Sequence, residues 1–597
     1  MNESRSLLGT ALAWGCASGA VEVALRCDPR LGLAIDDRIV WLFASVMIAC
    51  GYLFVFVGLH PLLKRRWPDH SGHGGLLAAV LFVHLALWVR FDQMVNVSLL
   101  APKFLGALGL VIVVSLALAR FSDGFLAKHA SNVRRLAWAV AFIGFVMTVM
   151  RGSSDADVSG PTATGPNVVL VTLDTTRWDS LSIHGDRNTT PNIAKLAQNG
   201  VVFDQAVATA PLTEPSHLAI LTGNPPSVSG LVSNGTHIGD RPELLSVVLQ
   251  QAGYQTAGFV SGFPLHGRFG WKQGMDVFDD DFGRVAGLHR LSLVKAWDQV
   301  MLPTHALRER PGDGAMGRAL EWLSNREESP FFLWVHLFDP HAPYEAPGRD
   351  FAPPTDGEAL DLPFHWPEAY REITSTEWLT EAYMAEVRTT DQLVGQLLDA
   401  LEDEGLEKQT VFVLTADHGE SLTEHDYLFD HGDHLYDPSL RVPMVFHWPG
   451  HLDEGVRVSC QSSNMDITPT LLALLDIVDD HKRVGIDRSG ELTGGGCVDT
   501  PVVSSTVAGR FVQDPPVDHS LRADGYKLIA HAATEDKPAG TECYNLLSDP
   551  EEVNSLEPCL AGLESMLTTA VESGTKPISP EMDEETRLAL EALGYVE

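Results

Sequence analysis

Asp174, Thr213, Asp417 and His418 are the residues of this chain whose types and settings suit joint chemistry. Carboxylate oxygens and an imidazole nitrogen form a donor set for a divalent cation such as Zn²⁺, Mn²⁺, Ca²⁺ or Mg²⁺. A threonine hydroxyl is a weak nucleophile at neutral pH, and contact with such an ion favours its alkoxide. Thr213, close to such an ion, can therefore become a nucleophile.

Each of these residues ends a recognisable element. Asp174 follows the apolar run 168–171 and Asp417-His418 follows the run 411–414. Short β-branched apolar runs read as buried parallel strands, and ligands of open α/β sheets bind beyond the carboxyl ends of such strands. Thr213 precedes Pro215, a residue suited to a first helical turn, and Gly223 is placed to end that helix. The free N–H groups of the helix start favour an anion there. Further helices are expected over 243–252, 376–402 and 467–475. Their alternation with strand runs predicts an α/β fold with a mostly parallel sheet flanked by helices.

From Pro166 to the C-terminus the chain resembles the sulfatase branch of the alkaline phosphatase superfamily. The resemblance rests on ordered motifs: Asp174-Thr175-Thr176-Arg177, Thr190-Pro191-Asn192, Thr213-x-Pro215-Ser216-His217, Asp339-Pro340-His341, Asp417-His418-Gly419-Glu420 and Arg441-Val442-Pro443. The tail from Tyr544 to Glu552 is similar to that family's C-terminal strand and turn, which implies a smaller C-terminal α+β subdomain. The departures carry as much information. Thr213 stands where sulfatases carry the Cys or Ser that becomes formylglycine, so no formylglycine is expected. His217 replaces an Arg, Leu173-Asp174 replaces a paired Asp-Asp, and Asp417-His418 replaces Asp-Asn. The resemblance thus points to relatives with a Thr nucleophile acting on phosphoryl groups. It implies metal ligation by Asp174, Thr213, Asp417 and His418.

The remaining candidates follow from position. His341 follows the strand run 331–338, as a general acid or a contact to substrate oxygen. His425 and His431 lie in the loop after Asp417-His418 and are candidates for a second metal or for holding the transferring group. Arg177 and His217 are candidates for binding the substrate anion.

The first 151 residues differ in kind. Apolar spans at 7–25, 39–63, 76–89, 104–118 and 136–150 predict about five membrane helices. Lys64-Arg65-Arg66 and the basic residues between the fourth and fifth spans predict cytoplasmic loops there, which places the rest of the chain outside the cytoplasm. Residues 152–165 read as a polar linker, 166–485 as the catalytic domain and 486–597 as the C-terminal subdomain and tail. A net charge of −36 without a basic stripe excludes nucleic acid as a partner. The partners expected are the lipid bilayer and a phosphate- or sulfate-ester substrate. Cys460, Cys497, Cys543 and Cys559 leave three disulfide connectivities open, with Cys543–Cys559 the first choice because both flank the C-terminal turn.

The reading is a membrane-anchored, metal-dependent ester hydrolase, with phosphate esters ahead of sulfate esters. Two alternatives stand beside it: a transferase moving a phosphoethanolamine- or phosphoglycerol-type group onto an envelope lipid or glycan, and a catalytically inactive binding protein.

Overall fold

A computed structural model describes residues 163–184, 188–282, 310–344, 354–363, 366, 370–507, 516–534, 537–572 and 574–575. The five expected membrane spans lie outside these residues, as does half of the acidic, Pro-rich segment 345–372. Among the described residues no helix is long and apolar enough to cross a membrane. At the end of the expected linker, Ala163 N–H donates to Gly253 O at 3.2 Å, so the chain is already docked before the first strand.

The strands are β1 (Asn167–Leu173), β2 (Val201–Val207), β3 (Gln255–Phe259), β4 (Val277–Asp279), β5 (Phe331–Leu337), β6 (Thr410–Ala416), β7 (Arg441–Val442), β8 (Met444–His447) and β9 (Val456–Ser463). They form one nine-stranded sheet in the order β4-β3-β5-β1-β6-β8-β2-β7, with β9 on β2. β1, β5 and β6 are buried along their whole length, as their mostly apolar character requires. The sheet is mixed. β4, β3, β5, β1 and β6 are mutually parallel, while β8 runs antiparallel to both β6 and β2, and β7 antiparallel to β2.

Among the described residues, seven helices longer than one turn pack around the sheets: α1 (Pro191–Gln198), α2 (Thr213–Thr222), α3 (Leu245–Gln251), α4 (Gly312–Asn325), α5 (Thr376–Asp403), α6 (Ile467–Leu474) and α7 (Leu563–Glu572). α2 is buried on every side, which suits its apolar second half. Gly223 ends it with φ 72°, where a side chain would be strained. α1 begins with Pro191, and Asp391 of α5 accepts from the next two amides, Asn192 N–H at 3.2 Å and Ile193 N–H at 2.8 Å. The Thr190-Pro191-Asn192 motif is thus a helix start capped from a distant helix.

β10 (Val502–Val507), β11 (Val517–Ala523), β12 (Tyr526–His531) and β13 (Gly540–Asn545) form an antiparallel sheet in sequential order. Leu521, Ala523 and Leu528 of this sheet pack with Leu563 and Leu567 of α7. Cys543 is joined to Cys559 by a disulfide. This is the C-terminal α+β unit that the tail motif implies. It is tied to the main sheet by a fully buried lysine: Lys527 Nζ lies 2.6 Å from Asp437 Oδ1 and 2.7 Å from Glu552 Oε1.

Candidate metal centre

Strand register brings the two aspartates together. Leu173 is opposite Ala416 on β6 and Leu337 on β5. Asp174 and Asp417 therefore leave neighbouring strands side by side, with Asp174 N–H donating to Leu337 O at 2.9 Å and Asp417 N–H to Leu173 O at 3.3 Å. Thr175 then turns the chain with φ 47°, a rare conformation for a β-branched residue and one that clusters at functional sites. Its N–H donates to Asp417 Oδ1 at 3.3 Å.

Imidazole hydrogen bonds decide which nitrogens are available. His418 Nδ1–H donates to Gly419 O at 2.9 Å, so the neutral ring carries its lone pair on Nε2. That Nε2 lies 3.5 Å from Asp417 Oδ2 and 3.9 Å from Asp174 Oδ1. All three atoms are buried and have no hydrogen-bond partner. Donor atoms of Asp174, Asp417 and His418 lie within 4.8 Å of one another, the donor set of a divalent cation.

A second trio, His217, His336 and Asp417, also has its donor atoms within that distance, but its hydrogen bonds argue against it. His217 Nδ1–H donates to Thr213 O at 2.8 Å, and His217 Nε2 accepts from the Thr172 hydroxyl at 3.0 Å. Thr172 Oγ1 in turn accepts from Trp334 Nε1–H at 3.1 Å. Both nitrogens of His217 are thus committed, and the ring fixes the first turn of α2 against β1. His336 is an addition that sequence reasoning passed over. Its Nε2–H donates to Asp174 Oδ2 at 3.0 Å, which orients that carboxylate behind the ligand oxygen.

The electrostatics fit a site shaped for a cation. Burial pushes the Asp174 carboxyl well above the usual range, and burial with the Asp174 charge does the same to Asp417. Burial holds the His418 and His336 imidazoles down at about 3, so both are neutral and able to act as ligand or donor. A divalent ion between the two aspartates would remove the repulsion that burial otherwise magnifies.

Thr213 is the first residue of α2, one turn before His217. The helix is locked to the end of β6: Ser216 Oγ–H donates to Asp417 O at 2.6 Å, and Asn464 Nδ2–H donates to the same carbonyl at 3.1 Å. Gly419 is required in the Asp-His-Gly-Glu run, because a Cβ there would sit 2.0 Å from Pro438 O.

The other candidates divide. His431 lies against His418 with ring centroids 4.5 Å apart, and His341 lies 5.0 Å from His431. The rings of His341, His431 and His418 thus form one row. His431 Nδ1–H donates to Glu420 Oε1 at 3.2 Å, and His341 Nδ1–H donates to Ala342 O at 2.7 Å. His425, with φ 57°, instead stacks on Tyr436 at 3.6 Å. Arg177 directs its guanidinium to Asp179, Glu424 and Glu420 O, which ties the end of β1 to the loop after β6.

Asp417→Asn separates the roles of the buried charge. The amide oxygen keeps the bonds from Thr175 N–H and His418 N–H but not the anionic ligand. Bound divalent metal, measured by mass spectrometry of the purified protein, is expected to fall to trace levels. The stabilisation that added metal gives the wild type, ~2.7 kcal/mol at a hundredfold excess over Kd, is expected to vanish. Without metal the variant is expected to melt no lower than the metal-free wild type, because the Asp174–Asp417 repulsion is gone.

Comparison with known proteins identifies the family. The sulfatase family profile matches residues 166–477, just over half of the chain. A sulfatase of Formosa agariphila is 28% identical over 440 residues, covering 65% of this chain and 82% of its own. An N-acetylglucosamine-6-O-sulfatase of Bacteroides thetaiotaomicron is 25% identical over 487 residues, covering 66% and 82%. Among solved structures, the phosphonate monoester hydrolase of Agrobacterium radiobacter superposes with a TM-score of 0.53 at 20% identity, covering 68% of this chain and 94% of its own. Members of this family typically bind a divalent metal, and the Asp174, Asp417 and His418 trio supplies candidate ligands. The chain belongs to the sulfatase family of ester hydrolases.

Proposed function

We propose that this enzyme hydrolyses phosphate esters with Thr213 as its nucleophile, without formylglycine. The observation that carries the reading is Thr213 at the start of α2, with that helix bonded directly to the carbonyl of Asp417. Asp174, Asp417 and His418 would hold the metal, with Thr213 beside them. The ion would supply a Lewis acid for charge on the reacting phosphoryl oxygens. Thr213 Oγ forms a bond to phosphorus as the ester P–O bond breaks. His341 donates its Nδ1–H to Ala342 O, so in the neutral ring Nε2 is the acceptor. It takes the proton from Thr213 and returns it to the leaving alcohol. Water then cleaves the phosphothreonine, which releases phosphate and restores the hydroxyl.

Sulfate-ester cleavage is the second reading, favoured by the names of the relatives in Formosa and Bacteroides. The two separate on 4-nitrophenyl phosphate esters and 4-nitrophenyl sulfate with the purified full-length protein. Faster release from the phosphate esters is expected, and the reverse order would assign sulfate. Label transferred from a phospholipid to a second alcohol in the same assay would assign the transferase reading instead. We place the catalytic unit outside the cytoplasm, anchored through 1–151. The Cys543–Cys559 disulfide supports an oxidising compartment.

A further inference from the structure

On the flank of the main sheet, where it meets the C-terminal sheet, lies a surface cavity of about 420 Å³. Its volume falls in the ~300–1,000 Å³ range of small-molecule sites. Its charged walls are Arg441, Arg457 and Arg522 with His184, and Asp204 is the one acidic residue among the residues lining it. This positive excess stands out in a chain with a net charge of −36. Asp204 is itself engaged: its backbone carbonyl accepts from Arg441 Nη2–H at 2.8 Å, and its carboxylate pairs with Arg457. Arg441 lies flat on the Trp178 ring, 3.6 Å from its centroid, so the guanidinium is held in one orientation. Arg522 is fixed from behind by Gln461 Oε1 at 2.8 Å and by Asp437 at 3.5 Å.

We propose that this cavity is an anion-binding site, separate from the metal centre, that takes a tetrahedral oxyanion, sulfate or phosphate, free or carried on a saccharide. Arginine forks suit such oxygens because their donors are planar and paired. Arg457 is paired with Asp204 and Arg522 with Asp437, and an anion entering the cavity would add a further counter-charge among the three guanidinium groups. Consistent with this, burial and the Arg522 charge hold Arg441 below its ordinary value despite Asp437 and Asp204 nearby. Burial and the Arg457 and Arg441 charges hold His184 down at about 4, so its ring stays neutral. Arg457 donates to His184 Nδ1 at 3.2 Å, which leaves the ring proton on Nε2. Trp178 is four residues beyond Asp174, so the Cα atoms of these two residues lie within about 15 Å of each other. An oligomeric substrate with a second anionic group spans that distance.

The test is calorimetric titration of the full-length, metal-loaded protein and of Arg457→Ala and Arg457→Lys. Arg457 is half exposed and lies outside the catalytic set, so both variants are expected to fold and to turn over 4-nitrophenyl phosphate like the wild type. The probes are inorganic phosphate, inorganic sulfate and a disulfated disaccharide. The expected result is a bound anion whose Kd rises about tenfold in Arg457→Ala, with a smaller rise in Arg457→Lys. Tighter binding of the disaccharide identifies a substrate-borne group, and equal binding identifies a free oxyanion. Identical affinities in the wild type and both variants, or no binding at all, would overturn the proposal. The binding readout stands whichever ester the metal centre cleaves.

Discussion

Thr213→Ala is expected to lower kcat by roughly 10³-fold or more while leaving the melting temperature of the metal-free protein nearly unchanged. The side chain is small and sits at a helix start. The contacts that fix that start are the Thr213 carbonyl with His217, the Glu214 amide with Asn234, and Ser216 with Asp417. None of these needs the Thr213 hydroxyl, so the helix stays in place without its nucleophile. Thr213→Ser keeps a hydroxyl there and is expected to retain turnover. Mass spectrometry after brief exposure to substrate is expected to find phosphate on Thr213 in the wild type and at no residue in the alanine variant. Wild-type turnover by Thr213→Ala would sink the nucleophile assignment.

Lys527→Ala is expected to destabilise the protein by about 3–5 kcal/mol, because removing one partner strands buried charge. Lys527 is the cation between Asp437 and Glu552, and both carboxylates are buried with it. The Glu552 carboxylate also accepts from Asp437 N–H at 2.6 Å, so the loss reaches the turn before β7. The pH dependence has a definite sign. Burial raises the Glu552 carboxyl above its ordinary value, against the pull of Lys527. The folded state therefore holds a proton on Glu552 that the unfolded state has lost. Its contribution is fully present below the ordinary glutamate pKa, ~4.3, and is lost as pH rises through the folded value. Without Lys527 that value rises further. The stability deficit of the variant, from urea melts, is thus expected to grow from pH 5 to pH 8. A deficit that shrinks over that interval would show that Glu552 is not the group left unpaired.

How much of this was legible in the sequence depended on the range of the forces involved. β1, β5 and β6 declare themselves because a strand buried on both faces must be apolar throughout. α2 shows through Pro215 and Gly223, which act within one turn. His336 was hidden by the same logic, since a histidine inside Phe331–Leu337 reads as part of the core. The signal was there: a lone ionisable group in an otherwise apolar strand needs a polar partner, and that partner is Asp174. The two trios could not be ranked from sequence, because the tautomer of His217 depends on Thr172, brought close only by folding. His425 and His431 sit in one loop with the same composition. Only backbone dihedrals turn one toward Tyr436 and leave the other beside His418. The reversed β8 was equally invisible, because strand direction follows from connections rather than from residue type.

The pairing of β1 with β6 has a consequence for biosynthesis. Asn167 and Thr410, the first residues of these adjacent strands, are 243 positions apart. Long-range pairing of this kind closes late. A nascent chain therefore displays Asp174 long before it owns Asp417 or His418, and it cannot capture a cation tightly before those two residues have emerged. Which ion is loaded is then decided by the compartment in which β6 comes to lie beside β1, not by the one in which Asp174 first appears.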